Sequence, residues 1–473
     1  MKIPFSKDQI IDRIRFENPW WQMNNIDTHY LEMRKREYFD IFFELVIERS
    51  IKRAVVLMGP RRVGKTVLLF HSIQELIKRD VSPSKICYFS VETPIYNGIG
   101  LEELLKMFLE VSGYDAKQEL FIFFDEIQYL KNWEVHLKSL VDSYHSIKFI
   151  VSGSAAAALK LKSNESGAGR FTDFLLPPLT FHEYLSLKNI DDIIIPKELA
   201  NGLYEYETRD IDLLNRYFID YINFGGYPEV SLSPSIQADP GRYIRNDIID
   251  KVLLRDLPIL YGIEDIQELN TLFTYIAYNS GNEMSLDAIS KSSGVAKNTI
   301  KKYITYLEAA FLIKVVHRID HNSKVFKRAN FFKIYLTNPS LRCALFSPLK
   351  EADPFIGNLV ETAIYSQWQH STQHLYYARW SNGEIDIVSL NEVTQKPNWI
   401  VEVKWTNKLA EDFRELKNIK SFSQQHDISN PRVTTYNISK NELVDGVSYR
   451  FTPASLYCYM VGRNILRIKV FVH

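Results

Sequence analysis

Gly59 and Gly64 stand with four residues between them, followed by Lys65 and Thr66. That spacing fits a loop that wraps a phosphate chain. The two glycines let backbone N–H groups turn inward around an anion, and a following helix would point its positive end at the same charge. Lys65 is placed to reach the outer phosphates and the Thr66 hydroxyl to ligate Mg²⁺. The expected ATP-contacting set is Gly59, Pro60, Arg61, Arg62, Val63, Gly64, Lys65, Thr66 and Val67, with ATP and Mg²⁺ as cofactors.

Two acids follow at a fitting distance. Asp125 and Glu126 close the apolar run Leu120–Phe124, as at the end of a buried central strand. Asp125 would hold the Mg²⁺ shared with Thr66, directly or through water, and Glu126 would orient or activate the attacking water. Ser152 and Ser154 end the next apolar run, as small polar residues at a strand end. Arg170, in a polar loop, is a candidate arginine finger reaching a neighbouring subunit's phosphate; an ordinary surface ion pair is its simpler reading.

A third constellation lies far downstream. Asp386 sits in one strand pattern, and Glu402 and Lys404 sit two apart in the next, on one face of it. Glu361 lies on a helical pattern just before them. Between the two ends of the chain, Leu286–Phe311 reads as helix, turn at Gly294, helix. Lys297, Asn298, Lys301 and Lys302 lie opposite its apolar positions. They form a candidate nucleic-acid-binding face, which Lys324, Lys327 and Arg328 on a following wing would extend.

These residues need elements to hold them. AVVLM (54–58), KICYFSVE (85–92), LFIFFDE (120–126) and IKFIVSGS (147–154) alternate with helical patterns, which predicts a parallel sheet with helices on its faces. The first fifty residues predict a strap over that sheet, with Trp20 and Trp21 as anchors. Residues 186–212 read as a linker, and strands are expected at 374–380, 384–390, 399–405 and in the last forty residues. The organisation expected is a P-loop parallel-sheet domain (1–185), a helical and winged-helix domain (186–338) and a small α/β domain (339–473).

With 57 basic and 57 acidic residues, a globally basic nucleic-acid binder is excluded, although a local patch is not. Three scattered cysteines give no zinc or disulfide pattern. No apolar run is long enough to span a bilayer, so a cytoplasmic protein without membrane contact is expected.

GPRRVGKT, FFDEIQYL, VSGSAAAALK, GRF…LPPLTFHEYL and NFGGYPEV, in that order, resemble a prokaryotic AAA-family ATPase carrying a C-terminal domain of unknown function. The resemblance implies ATP binding and a first-sensor role for Ser154 or Ser152. Asn338 stands where that family more often has an acid. Asp386 followed by Glu402-x-Lys404 resembles the core of PD-(D/E)XK nucleases, except that Ile385 replaces the proline. That resemblance implies a restriction-endonuclease-like fold with Asp386 and Glu402 on Mg²⁺, Lys404 activating water and Glu361 as the helix acid. Three functions follow as expectations: an ATPase switch driving the later domains, an ATP-regulated nuclease, or a nucleotide-dependent DNA-binding regulator with a silent nuclease fold. Partners expected are DNA or another nucleic acid, and a protein partner or further copies of the chain.

Overall fold

The computed structural model describes residues 5–154, 169–198, 204–324, 330–371 and 373–466. The chain forms two compact units, one ending at Leu176 and one beginning at Pro177.

The first unit is built on five parallel strands, β1 (Ala54–Met58), β2 (Ile86–Ser90), β3 (Leu120–Asp125), β4 (Ile147–Gly153) and β5 (Phe171–Leu175), in the order β2-β3-β4-β1-β5. β3 and β4 are buried along their whole length, which their apolar composition requires of strands covered on both faces. The strand order places the end of β4 between the ends of β1 and β3. Ser152, the phosphate loop and Asp125 therefore meet at one edge. β5 was not foreseen; its Thr172 and Asp173 interrupt the apolar pattern.

β2 is an edge strand, and the N-terminal strap satisfies its outer edge. The Asn18 amide accepts from Tyr88 N–H at 2.7 Å and donates to Tyr88 C=O at 2.9 Å. Trp20 and Trp21 both donate indole N–H to the Ile86 carbonyl, at 3.1 and 2.8 Å. The strap thus supplies the bonds a further strand would make and closes the edge to other chains. Arg36 donates to the Val63 carbonyl at 2.5 Å and so ties the strap to the phosphate loop.

The second unit carries a nine-stranded sheet. Its strands after the hairpin β6 (Ile194–Glu198) and β7 (Tyr204–Thr208) are β8 (Glu283–Ser285), β9 (Ile313–Ile319), β10 (Phe331–Leu336), β11 (Leu375–Trp380), β12 (Gly383–Leu390), β13 (Pro397–Glu402), β14 (Arg432–Thr435), β15 (Lys440–Val444) and β16 (Val447–Pro453). The order is β15-β16-β14-β13-β12-β11-β9-β10-β8. The strands expected as a wing, β9 and β10, pair antiparallel, but β9 also pairs parallel with β11 through Tyr376 opposite His317. The expected division at 338/339 therefore runs through one continuous sheet. The stretch read as a linker, 186–212, contains the β6–β7 hairpin, whose Tyr206 ring packs edge-on against Tyr459. Of the strands expected near the end of the chain, β14 and β16 form, and the run after Leu466 lies outside the described residues; Ala454–Ile465, after β16, is a largely buried helix.

Candidate functional site

The phosphate loop owes its shape to two glycines. A Cβ at Gly59 would lie 2.2 Å from the Leu176 carbonyl oxygen, so only glycine fits there. Gly64 has φ 94°, the left-handed region, and immediately precedes the helix Lys65–Lys78. That helix directs its free N–H groups into the loop. Lys65 is buried, and its ammonium donates to the carbonyls of Gly59 at 3.1 Å and Pro60 at 2.9 Å, which holds it at the loop mouth. Pro60 and Val63 are buried, Arg61 and Val67 half-buried, and Arg62 exposed with a left-handed φ of 64°.

Thr66 Oγ1 donates to Asp125 Oδ2 at 2.7 Å, across 59 residues of sequence. Tyr88 Oη donates to the same oxygen at 2.8 Å, and Ser152 Oγ donates to Oδ1. Burial first, and then the neighbouring Glu126 charge, push the Asp125 carboxyl above its usual range; the bonds from Ser152, Thr66 and Tyr88 pull it back. A cation is the natural complement of such a carboxylate. Thr66 and Asp125 form a hard-oxygen pair at a phosphate loop and fit Mg²⁺.

Glu126 takes a left-handed φ of 55° at the end of β3. Gln128 Nε2 donates to Glu126 Oε2, and Gln128 Oε1 accepts from Ser154 N–H at 3.1 Å. Among the described residues, the buried Ser154 hydroxyl has no hydrogen-bond partner. The two serines therefore differ: Ser152 holds Asp125, while the Ser154 hydroxyl is not engaged by the protein. Gln128 was missed by sequence reasoning. Its signal was its place two residues after a catalytic-type acid. Arg170 lies at the other end of the sheet, its carbonyl accepting from Ala54 N–H at the start of β1. It pairs on the surface with Asp142 at 3.0 Å, the simpler of its two readings.

In the second unit, Glu361, Asp386, Glu402 and Lys404 also come together. Glu361 projects from the helix Ile356–Ser366. Ile387 on β12 faces Val401 on β13, which makes Asp386 and Glu402 the next cross-strand pair. Lys404 Nζ lies 2.7 Å from Glu402 and 3.1 Å from Asp386. A second lysine completes the cluster: Lys333 on β10 lies 2.9 Å from Glu361, 2.7 Å from Glu384 and 3.5 Å from Asp386. Lys333 and Glu384 were missed. The signal was a lysine inside the apolar run Phe331–Leu336, where a charge must find acidic partners.

Burial acts to raise the Asp386 carboxyl, but Lys404 and Lys333 outweigh it and hold Asp386 below its usual range. Burial, reinforced by the Asp386 charge, pushes Glu402 up to about 8 despite its pairing with Lys404. Glu361 is raised by burial against the opposing pull of Lys333. This arrangement does not fit the Mg²⁺ site expected at Glu361, Asp386 and Glu402, because ammonium groups already occupy the carboxylates. Among the described residues, no group of three or more His, Cys, Asp or Glu side chains is gathered to hold a metal ion.

The helix-turn-helix residues fold as helix Leu286–Ser293, Gly294 at φ 75°, and helix Lys297–Ala309. Ile289, Ile300, Ile304 and Leu307 are buried, and Lys297, Asn298, Lys301 and Lys302 are exposed. Lys297 is tied to Asp287 by an ion pair, which leaves Lys301 and Lys302 as the outward cations of the face. Lys327 and Arg328 lie outside the described residues. Also among the described residues, no helix is long and apolar enough to cross a membrane, and the three cysteines are buried and unpaired with one another.

Residues 51–185 match a family model described as an AAA domain, and residues 215–352 match one described as a domain of unknown function (DUF8612). Over residues 51–185 the chain is thus similar to AAA domains, which agrees with the phosphate-loop and parallel-sheet geometry above. An uncharacterized protein of Methanocaldococcus jannaschii is 27% identical over 406 residues, covering 83% of this chain and 85% of that one. An uncharacterized protein of Haemophilus influenzae is 23% identical over 369 residues, covering 77% and 85%. Among solved structures, the Aeropyrum pernix ORC1 protein in complex with DNA is similar at TM-score 0.32 and 12% identity, covering 72% of this chain and 97% of that one. The S. cerevisiae Hsp104–ADP complex is similar at TM-score 0.31 and 13% identity, covering 61% and 39%.

Proposed function

We propose that the chain is a Mg²⁺-dependent ATPase whose nucleotide state is coupled to the helix-turn-helix and the nuclease-like sheet of its second unit, and that the second unit contacts nucleic acid through phosphate. The observation that carries the catalytic half is the Thr66–Asp125 hydrogen bond at 2.7 Å beneath Lys65. It joins the two halves of a nucleotide–metal site. Mg²⁺ would be held by Thr66 and Asp125, and it would offset charge on the transferring phosphoryl group. Lys65 would leave the loop carbonyls for the outer phosphate oxygens. Glu126, oriented by Gln128, would take the proton of the attacking water, and Ser154 would hold that water or the γ-phosphate. Arg170 lies too far from its own loop to act there, so any finger role is exerted on a neighbouring copy.

The nucleic-acid half rests on exposed Lys301 and Lys302, a face suited to backbone phosphate rather than base reading, since Asn298 is its only amide. The nuclease alternative requires metal at Asp386 and Glu402, where the lysine pairing opposes it.

The test is steady-state phosphate release with Mg²⁺·ATP. Lys65→Ala is expected to abolish it. Glu126→Gln should retain ATP while turnover falls by about two to four orders of magnitude, the usual worth of a positioned base. Undiminished turnover in Lys65→Ala would remove the phosphate-loop assignment.

A further inference from the structure

The nuclease-like cluster poses a question that its resemblance does not answer: what cation does it hold? Lys333 gives the answer. Its side chain is 4% exposed, against 37% for Lys404. Lys404 can withdraw into solvent when another cation arrives. Lys333 has no such exit, because its side chain is almost wholly buried, with Nζ 5.4 Å from the Tyr377 ring centroid.

An ammonium has three N–H donors. Those of Lys333 meet three carboxylates, Glu384, Glu361 and Asp386, all within 3.5 Å. The acids are committed as fully as the lysine. Glu361 Oε1 also accepts from Tyr335 Oη at 2.5 Å. Asp386 Oδ2 accepts from Val403 N–H at 2.9 Å and from Lys404 at 3.1 Å, while Oδ1 faces Lys333. Within this cluster and among the described residues, the buried Glu402 Oε2 has no partner. A divalent ion placed there would meet the fixed Lys333 ammonium on the same group of carboxylates and be repelled by it. Mg²⁺ also demands near-ideal octahedral geometry, and the ammoniums already hold most of the oxygens it would use.

We infer that the Lys333 ammonium stands in the place of the divalent cation, so that the Asp386–Glu402–Lys404 site is a metal-free ion network closed by a residue from the β9–β10 hairpin. This rests on the nuclease-like reading of that site and settles it toward a silent fold. It also gives β10 a role: Lys333 and Tyr335, two apart and on one face, clasp Glu361 and bind the hairpin to the cluster.

The inference is tested by counting bound Mn²⁺ on the nucleotide-free full-length protein, from loss of the free-ion electron paramagnetic resonance signal. Wild type and Asp386→Asn should bind the same number of ions. Lys333→Met should gain about one ion per chain, and the gain should vanish in Lys333→Met combined with Asp386→Asn. Lys333→Met alone should also lower the melting midpoint by roughly 5–15 °C, and millimolar Mn²⁺ should recover part of that loss. A wild-type ion that Asp386→Asn removes would overturn the inference, as would a folded Lys333→Met that gains none. Should Lys333→Met fail to fold, the comparison of wild type with Asp386→Asn still decides. No nucleotide is present, so failure of the ATPase reading leaves every count unchanged. Failure of the nuclease-like reading would appear separately, as an ion gained by Lys333→Met that Asp386→Asn leaves in place.

Discussion

Glu402 shows how one side chain can be positioned by chemistry that its own pairing seems to contradict. It touches Lys404 at 2.7 Å, yet burial and the adjacent Asp386 charge raise its proton affinity, so that it titrates at about 8. A folded-state value above the unfolded one means the folded protein binds the extra proton. Glu402 therefore contributes stability that is full below its ordinary value near 4.5 and is lost as pH rises through about 8. Urea denaturation at several pH values between 5 and 9 should show wild type losing stability relative to Glu402→Gln, the neutral isostere. The gap should widen most between pH 6 and 8 by on the order of 1–3 kcal/mol. A constant gap would mean that Lys404 keeps Glu402 ionised throughout. The neighbouring acids behave differently for a stated reason: Asp386 faces two ammonium groups and Glu402 chiefly one.

Elements matter here through edges and registers, and these mark the limit of what the sequence made legible. The phosphate loop, Asp125, Glu126 and four of the five parallel strands were readable, because apolar runs, glycine spacing and paired acids are local patterns. Asp386, Glu402 and Lys404 were readable as a pair of strands for the same reason. Lys333 was not, because its partners lie 28 to 53 residues away and only the curl of the nine-stranded sheet brings them over β9 and β11. The β6–β7 hairpin was hidden by its charged residues and by the exposure of half of its side chains. The strap was readable as a strap, but the way it satisfies β2 was not. Asn18 takes up both backbone groups of Tyr88, as a paired strand would. Asn18→Ala should leave a buried N–H and C=O without partners and destabilise the first unit by roughly 2–4 kcal/mol, read from its urea midpoint. Asn18→Asp should recover only the acceptor half. An unchanged midpoint in Asn18→Ala would mean that water takes over the edge.

At the scale of the whole molecule, the proposal stands or falls on whether the nucleotide and the second unit share free energy. Linkage makes the test symmetric: whatever factor nucleic acid applies to ATP affinity, ATP must apply to nucleic-acid affinity. Glu126→Gln is the suitable form, because it should hold ATP without consuming it. Fluorescence anisotropy with labelled duplex and single-stranded DNA, at fixed salt, should give dissociation constants with Mg²⁺·ATP and with no nucleotide that differ at least about fivefold, the lower end of ordinary coupling. The salt slope should fall by about one to two when Lys301→Glu and Lys302→Glu remove phosphate contacts, with the nucleotide effect retained. If the constants agree in both nucleotide states while ATP turnover is normal, the two units work independently and ATP drives some other partner. If DNA binding is absent at every salt concentration, Lys301 and Lys302 belong to a solvated face, and the coupling must be sought with protein.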